Sequence, residues 1–120
     1  MTREFLDSVD DILDAIHKAR SFCAGMTFKS FAKGDKTVYA VIPAIEVIGE
    51  AAKKVPPSIR RKYPEIPWRD ITGMRDKLVH DYFGVDLQTV WTTVGEDLPM
   101  LLPLVQRLRD DHAELAPRKG

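Results

Sequence analysis

A single cysteine, Cys23, is the only thiol in this chain. No intramolecular disulfide can form, and the composition suits a reducing cytoplasm. Net charge is lacking as well, since Lys+Arg 18 stand against Asp+Glu 18. That balance excludes a chain that coats nucleic acid by bulk charge, leaving only a local patch for such a role. It also argues against the strongly charged composition of disordered chains. Long apolar runs are missing: the stretch Tyr39 to Ile45 contains Pro43 and is far too short to span a bilayer. The acidic start, with Glu4, Asp7, Asp10, Asp11 and Asp14, does not read as a signal peptide. There is no P-loop, no dinucleotide glycine fingerprint, no HExxH, no cysteine pair and no nucleophile elbow. The three histidines, His17, His80 and His112, fall on three separate segments. Zinc ligands usually come in close sequence pairs, so neither a metal site nor a cofactor is expected.

What remains is a helical pattern. The 120 residues, 44% of them hydrophobic, make about one domain with a genuine core. Phe5, Val9, Ile12, Ile16, Ala19 and Cys23 step by three and four and form one apolar stripe. The spacing predicts a helix over roughly 3–24, with Thr2 as N-cap and Gly25 as stop. A short segment from Thr27 to Lys33 ends at Gly34, and a second long helix runs from Asp35 to about Val55, kinked at Pro43. Pro56-Pro57 ends it and starts a short turn through Tyr63, followed by a connector bracketed by Pro64 and Pro67. A further helix is expected from Pro67-Trp68 to about Asp81. Asp86 then caps a last region from Leu87 to about Leu115, bent or divided by Pro99 and Pro103. No run alternates like a strand. The expectation is an all-α, up-and-down bundle of four to five helices, one domain over 1–115 with a flexible tail at 116–120.

Reactive side chains concentrate between Trp68 and Gly84. From Lys53 to Lys77 the chain carries eight basic residues against three acidic ones, a local excess of five. Lys53, Lys54, Arg69 and Lys77 belong to it and are candidate contacts for a polyanion; a merely solvated face is the bland alternative. On an ideal helix Arg75 and Tyr82, seven apart, share a face, as do Asp76 and His80, four apart. Arg75 and His80 are five apart, about 140° around such a helix. They meet on one small ligand only if the helix ends near His80 or if two chains contribute. Arg75 presents a planar fork suited to phosphate. His80 can donate or accept a proton near neutral pH, with Asp76 placed to orient it and Tyr82 supplying a hydroxyl. This set suits a phosphodiester that carries its own nucleophile, as RNA does through its 2′-hydroxyl. The residues alone equally allow a surface ion pair at Arg75, a helix cap at His80 and a rim aromatic at Tyr82.

Arg75, four residues, His80, one residue and Tyr82 form an Arg-x4-His-x-Tyr signature. Around it stand Ile45–Lys53, Tyr63–Arg69, Phe83–Leu87, Val90-Trp91 and Asp97-Leu98-Pro99. In this order the blocks resemble the HepT-like toxins of the HEPN superfamily over roughly residues 5–108. The resemblance implies a small all-α, metal-independent endoribonuclease. It implies a homodimer with the motif near the interface, and Arg75 and His80 as the catalytic pair. Asp76 occupies a position where the family often has Asn. Tyr82 matches a tyrosine to which a partner antitoxin, the minimal nucleotidyltransferase MntA, adds AMP in some HepT-like toxins. Such a group would put bulk and negative charge where an RNA phosphate should sit. Pro43, Asp76 and Asp81 depart from the family pattern without removing the catalytic pair.

Two functions follow as expectations. One is a cytoplasmic ribonuclease toxin of a type VII-like toxin–antitoxin pair, with RNA as substrate. The alternative is a non-catalytic helical dimer that binds nucleotide or RNA, or serves as scaffold for a nucleotidyltransferase. Neutral net charge and the acids Asp76 and Asp81 speak for the second. Trp68 and Trp91 are expected as core or interface anchors, and Met26, Met74 and Met100 as packing. Cys23 is expected buried, His17 at the edge of its stripe and His112 at a solvated helix end.

Overall fold

The computed structural model describes residues 4–74, 76, 79–81 and 84–114. Helix α1 runs Glu4–Cys23 and buries its whole stripe, with Val9 and Ile16 fully out of solvent. It ends where the periodicity does. Gly25 takes φ 77°, a left-handed conformation that costs glycine nothing, and Met26 N–H donates to Cys23 O at 3.1 Å. Thr2 lies outside the described residues.

Helix α2, Phe28–Lys33, begins with a capping box: Ser30 N–H donates to Thr27 Oγ1 at 3.1 Å and Thr27 N–H to Ser30 Oγ at 3.0 Å. Helix α3, Asp35–Lys53, passes through Pro43, which is exposed, as is Tyr39, the residue whose carbonyl loses its helical donor there. Its C-terminus is closed by Arg60, from the short helix α4, Pro57–Arg60. The guanidinium donates to Ala52 O and Lys53 O at 3.0 Å and to Val55 O at 2.8 Å. It also lies 5.8 Å from the centre of the Trp68 ring.

Helix α5 spans Trp68–Thr72 and packs on α3. The contact is close because Gly49 lacks a side chain: a Cβ there would stand 3.3 Å from Ile71 O. Beyond α5 the structure departs from the expected helix to Asp81. Gly73 turns the chain, helical geometry recurs at Met74 and Asp76, and Val79–Asp81 is an extended strand, β1. It pairs antiparallel with β2, Gly84–Val85. Strand pairing meets the backbone groups that a continued helix would have met, with Val79 and Val85 as partners along the ladder.

Asp86 caps the next helix, α6, Leu87–Thr92, accepting from Thr89 N–H at 3.1 Å. Thr93–Asp97 forms a π-turn, and α7 continues over Leu98–Asp110. Pro99 explains the break. It has no N–H to return to Gly95, and its ring would strike that carbonyl, so the helix widens just before it. The expected division at proline is therefore real and takes this form; Pro103 sits within α7.

Helix α1 is the hub, packing against α3, α7 and the π-turn, while α2 bridges α3 and α6. Arg109 locks α7 to α1 through Asp10 at 2.8 Å, half-buried. The all-α expectation holds, with one short ladder added. The tail at 116–120 lies outside the described residues.

His112 departs from its expected solvated position. It packs edge-on against Phe5, ring centres 5.1 Å apart, with Nδ1 2.9 Å from Leu108 O. Beside it the buried Tyr63 hydroxyl donates to Asp111 Oδ2 at 2.8 Å. Burial, then that hydrogen bond and the Asp111 charge, push Tyr63 up to about 12 from 10.0. An unfolded tyrosine titrates at about 10, so the folded chain holds this proton more tightly. The resulting stability is complete below about pH 10 and disappears as pH climbs towards about 12. Tyr63→Phe is expected to cost about 0.5–1.5 kcal/mol near neutral pH and to blunt this alkaline loss. Urea unfolding at about pH 8 and about pH 11 checks both.

Candidate active site

The segment with the densest chemistry is carried by α5 and the ladder behind it. Of the expected catalytic pair, Arg75 lies outside the described residues, as do Lys77 and Tyr82. The backbone of His80 is described. Val79 pairs with Val85 and Asp81 with Gly84, so β1 advances two residues where β2 advances one. The extra residue is His80, which makes this a β-bulge. Bulges bend a strand locally and recur beside active sites, where they re-aim a side chain.

The angle of about 140° between Arg75 and His80 presumed one ideal helix through both. Because the chain is extended at Val79–Asp81, that angle does not apply, nor does the shared helical face of Asp76 and His80. The first condition named above is the one met: helix ends before His80. The separation in sequence therefore no longer points to a second chain.

The basic excess is smaller than it reads. Arg60 is spent on the end of α3 and the Trp68 face. Lys53 pairs with Glu50 one turn back at 3.3 Å, both exposed, a contact that salt and solvent weaken. Lys54, just past the end of α3, and Arg69, on α5, are exposed, and α3 and α5 pack together. Asp76 is exposed, its N–H donating to Gly73 O at 3.0 Å.

Beside α5 opens a groove of about 390 Å³, with Met74 and Leu101 in its wall and Asp97 and Met100 at its rim. Met100, expected to pack, is 73% exposed here. Periodicity does not signal this, since Met100 follows the π-turn, where the 3.6-residue repeat is broken. Met74 is buried as expected, Trp68 and Trp91 lie half-buried against the core, and His17 is exposed. Cys23 is buried, and burial pushes its thiol up, away from the reactive thiolate. Among the described residues no cluster of His, Cys, Asp and Glu is arranged to hold a metal ion, and no helix is long and apolar enough to cross a membrane.

A model of the family described as ribonuclease HepT-like matches residues 12–108, which include the whole of this segment. The chain belongs to the HepT-like ribonuclease family. A protein of Thermococcus cleftensis named "Probable ribonuclease HepT" is 46% identical over 109 residues, covering 91% of this chain and 99% of the relative. A protein of Methanocaldococcus jannaschii named as an RNase is 43% identical over 101 residues, 84% of each chain. Another RNase-named protein, from Caldanaerobacter subterraneus, is 39% identical over 84 residues, 70% of this chain and 75% of the relative. No solved structure matches the chain. The resemblance seen in the ordered motifs is thus family membership, and the segment from Trp68 to Gly84 lies within the matched span.

Proposed function

We propose that this HepT-like chain is a metal-independent endoribonuclease and the toxin of a toxin–antitoxin pair. The observation that carries the reading is the Arg75-x4-His80-x-Tyr82 spacing in a chain that aligns with 99% of a relative named as a ribonuclease. Arg75 and His80 are the catalytic residues. A 2′-oxygen attacks the adjacent phosphorus and the bond to the 5′-oxygen breaks, leaving a 2′,3′-cyclic phosphate and a 5′-hydroxyl. His80 takes the 2′-hydroxyl proton or delivers one to the departing oxygen. Arg75 offsets the charge that grows on the pentacoordinate phosphorus. DNA lacks the nucleophile and is not cut. Asp76 supports His80, and Lys53, Lys54, Arg69 and Lys77 hold the RNA backbone. The active form is a cytoplasmic homodimer with the site near its interface.

An MntA-like nucleotidyltransferase silences it. The Tyr82 hydroxyl oxygen attacks the α-phosphorus of ATP, pyrophosphate leaves, and AMP remains on the ring. The added phosphate repels RNA from the site.

The test combines intact mass with activity. The chain is incubated with ATP, Mg²⁺ and a cognate nucleotidyltransferase, Tyr82→Phe serving as control, and each sample then meets RNA in EDTA. The expected result is an AMP-sized gain that needs Tyr82, cleavage by the unmodified chain and none by the modified one. Tight binding to the nucleotidyltransferase with no mass gain and no cleavage would favour the scaffold reading instead.

A further inference from the structure

Between Asp14 and Asp35 the chain holds no acidic residue, four basic ones (Lys18, Arg20, Lys29, Lys33) and three phenylalanines. Lys18 pairs with Asp14 at 2.8 Å. Arg20, Lys29 and Lys33 are exposed, and none makes an ion pair with a described residue. Folding brings this stretch to the π-turn. A cleft of about 180 Å³ opens there, lined by Arg20, Cys23, Trp91, Val94, Gly95 and Pro99. Phe28, 37% exposed, meets Trp91 edge-on with centres 6.3 Å apart, and Phe22 is 42% exposed nearby in the chain. The cleft is smaller than the roughly 300–1,000 Å³ of sites for drug-sized ligands, so it suits one ring system.

We infer that this cleft is an RNA subsite, separate from the Arg75/His80 segment, that seats one unpaired nucleobase against Trp91 and a flanking phosphate against Arg20. An apolar, aromatic slot edged by unpaired cations is the pattern that binds single strands, with bases stacking on rings and cations tracking the backbone. Charge complementarity favours a polyanion: Arg20 lines the cleft and Lys29 and Lys33 are exposed on α2, whose Phe28 and Phe31 meet Trp91, while the exposed acids of the π-turn, Glu96 and Asp97, are not among the residues that line it. A chain of phosphates would also link this cleft to the ladder. Trp91 stands four residues into α6, about 6 Å along the axis from its first residue, which follows β2 and Asp86 directly. The π-turn opens the groove here, and such turns recur at functional sites. The inference takes the identity of the polymer from the ribonuclease reading.

Two substitutions test it in the full chain. Gly95 lines the cleft and an added Cβ there meets nothing within 4 Å, so Gly95→Leu adds an apolar side chain at the cleft wall with no clash at Cβ. Arg20→Ala removes the proposed phosphate contact. The probe is a fluorescent 2′-O-methyl oligonucleotide, which binds but has no free nucleophile to be cut. Gly95→Leu is expected to weaken its binding about tenfold or more. Arg20→Ala is expected to lower the slope of log K against log salt by about 0.7, one phosphate on a single strand. That slope would not respond to a purely structural role. Parent-like affinity and slope in both variants, with unchanged circular dichroism, overturn the subsite. So does loss of nucleotidyltransferase binding alone, which would make the cleft a protein interface. Failure of the ribonuclease reading shows separately, as absence of cleavage of ordinary RNA by the parent chain.

Discussion

His80→Ala is expected to slow RNA cleavage by about 10²–10⁴-fold, the usual contribution of a positioned acid or base. The loss should fall on kcat, while affinity for an uncleavable 2′-O-methyl RNA stays close to the parent's, because a proton-transfer group acts in the transition state. Arg75→Ala should cost about 10²–10³-fold in kcat, in line with the removal of one charge-stabilising donor. The double variant should lose little beyond the larger single effect, since residues that act as a unit are not additive. The position of His80 sharpens the expectation. It is the extra residue of a bulge between Val79 and Asp81, so its backbone owes nothing to a pairing partner of its own. His80→Ala should therefore leave the melting temperature nearly unchanged. Cleavage at the parent rate would refute the mechanism; a large loss of stability would show that His80 serves the ladder instead.

Phe31→Ala should produce the largest loss of stability, about 3–5 kcal/mol for an emptied aromatic site. Phe31 is fully buried and is the single buried residue of the six-residue α2. A helix so short does not persist in water by itself. Its capping box, Thr27 and Ser30, is exposed and orients the first turn without holding the helix to the core. Phe31 does that, with its ring 5.2 Å from Trp91 and tilted by 37°. Against total stabilities of about 5–15 kcal/mol, the loss is a large share. Urea titration followed by Trp91 fluorescence reads it. The half-exposed neighbour Phe28→Ala should cost far less. Equal, small effects at both positions would mean that α2 is not anchored through Phe31. Because α2 borders the proposed RNA cleft, the same substitution should also weaken oligonucleotide binding.

Much of this molecule was open to inspection of residue order. The α1 stripe, the Gly25 stop and the Asp86 cap needed no partner to be recognised, because helical period and cap chemistry are local. So was the family, since Arg75, His80 and Tyr82 keep their spacing whatever the backbone does between them. The remaining features depend on which surfaces meet. A helix through Asp81 was a fair expectation from pattern, yet pairing of Val79 with Val85 takes those residues into a ladder. Arg60 reads as a free cation in a basic run until α4 folds back onto the end of α3 and its guanidinium finds three carbonyls. His112 reads as a solvated end until Phe5, more than a hundred residues earlier, packs against it. Arg20 and Trp91 share a cleft because α1 and the π-turn touch. Residue order thus carries what propensity, capping and motif spacing encode within a few turns. Tertiary packing decides which charges are already engaged and which remain free, because a side chain's partners are set by elements distant in the chain.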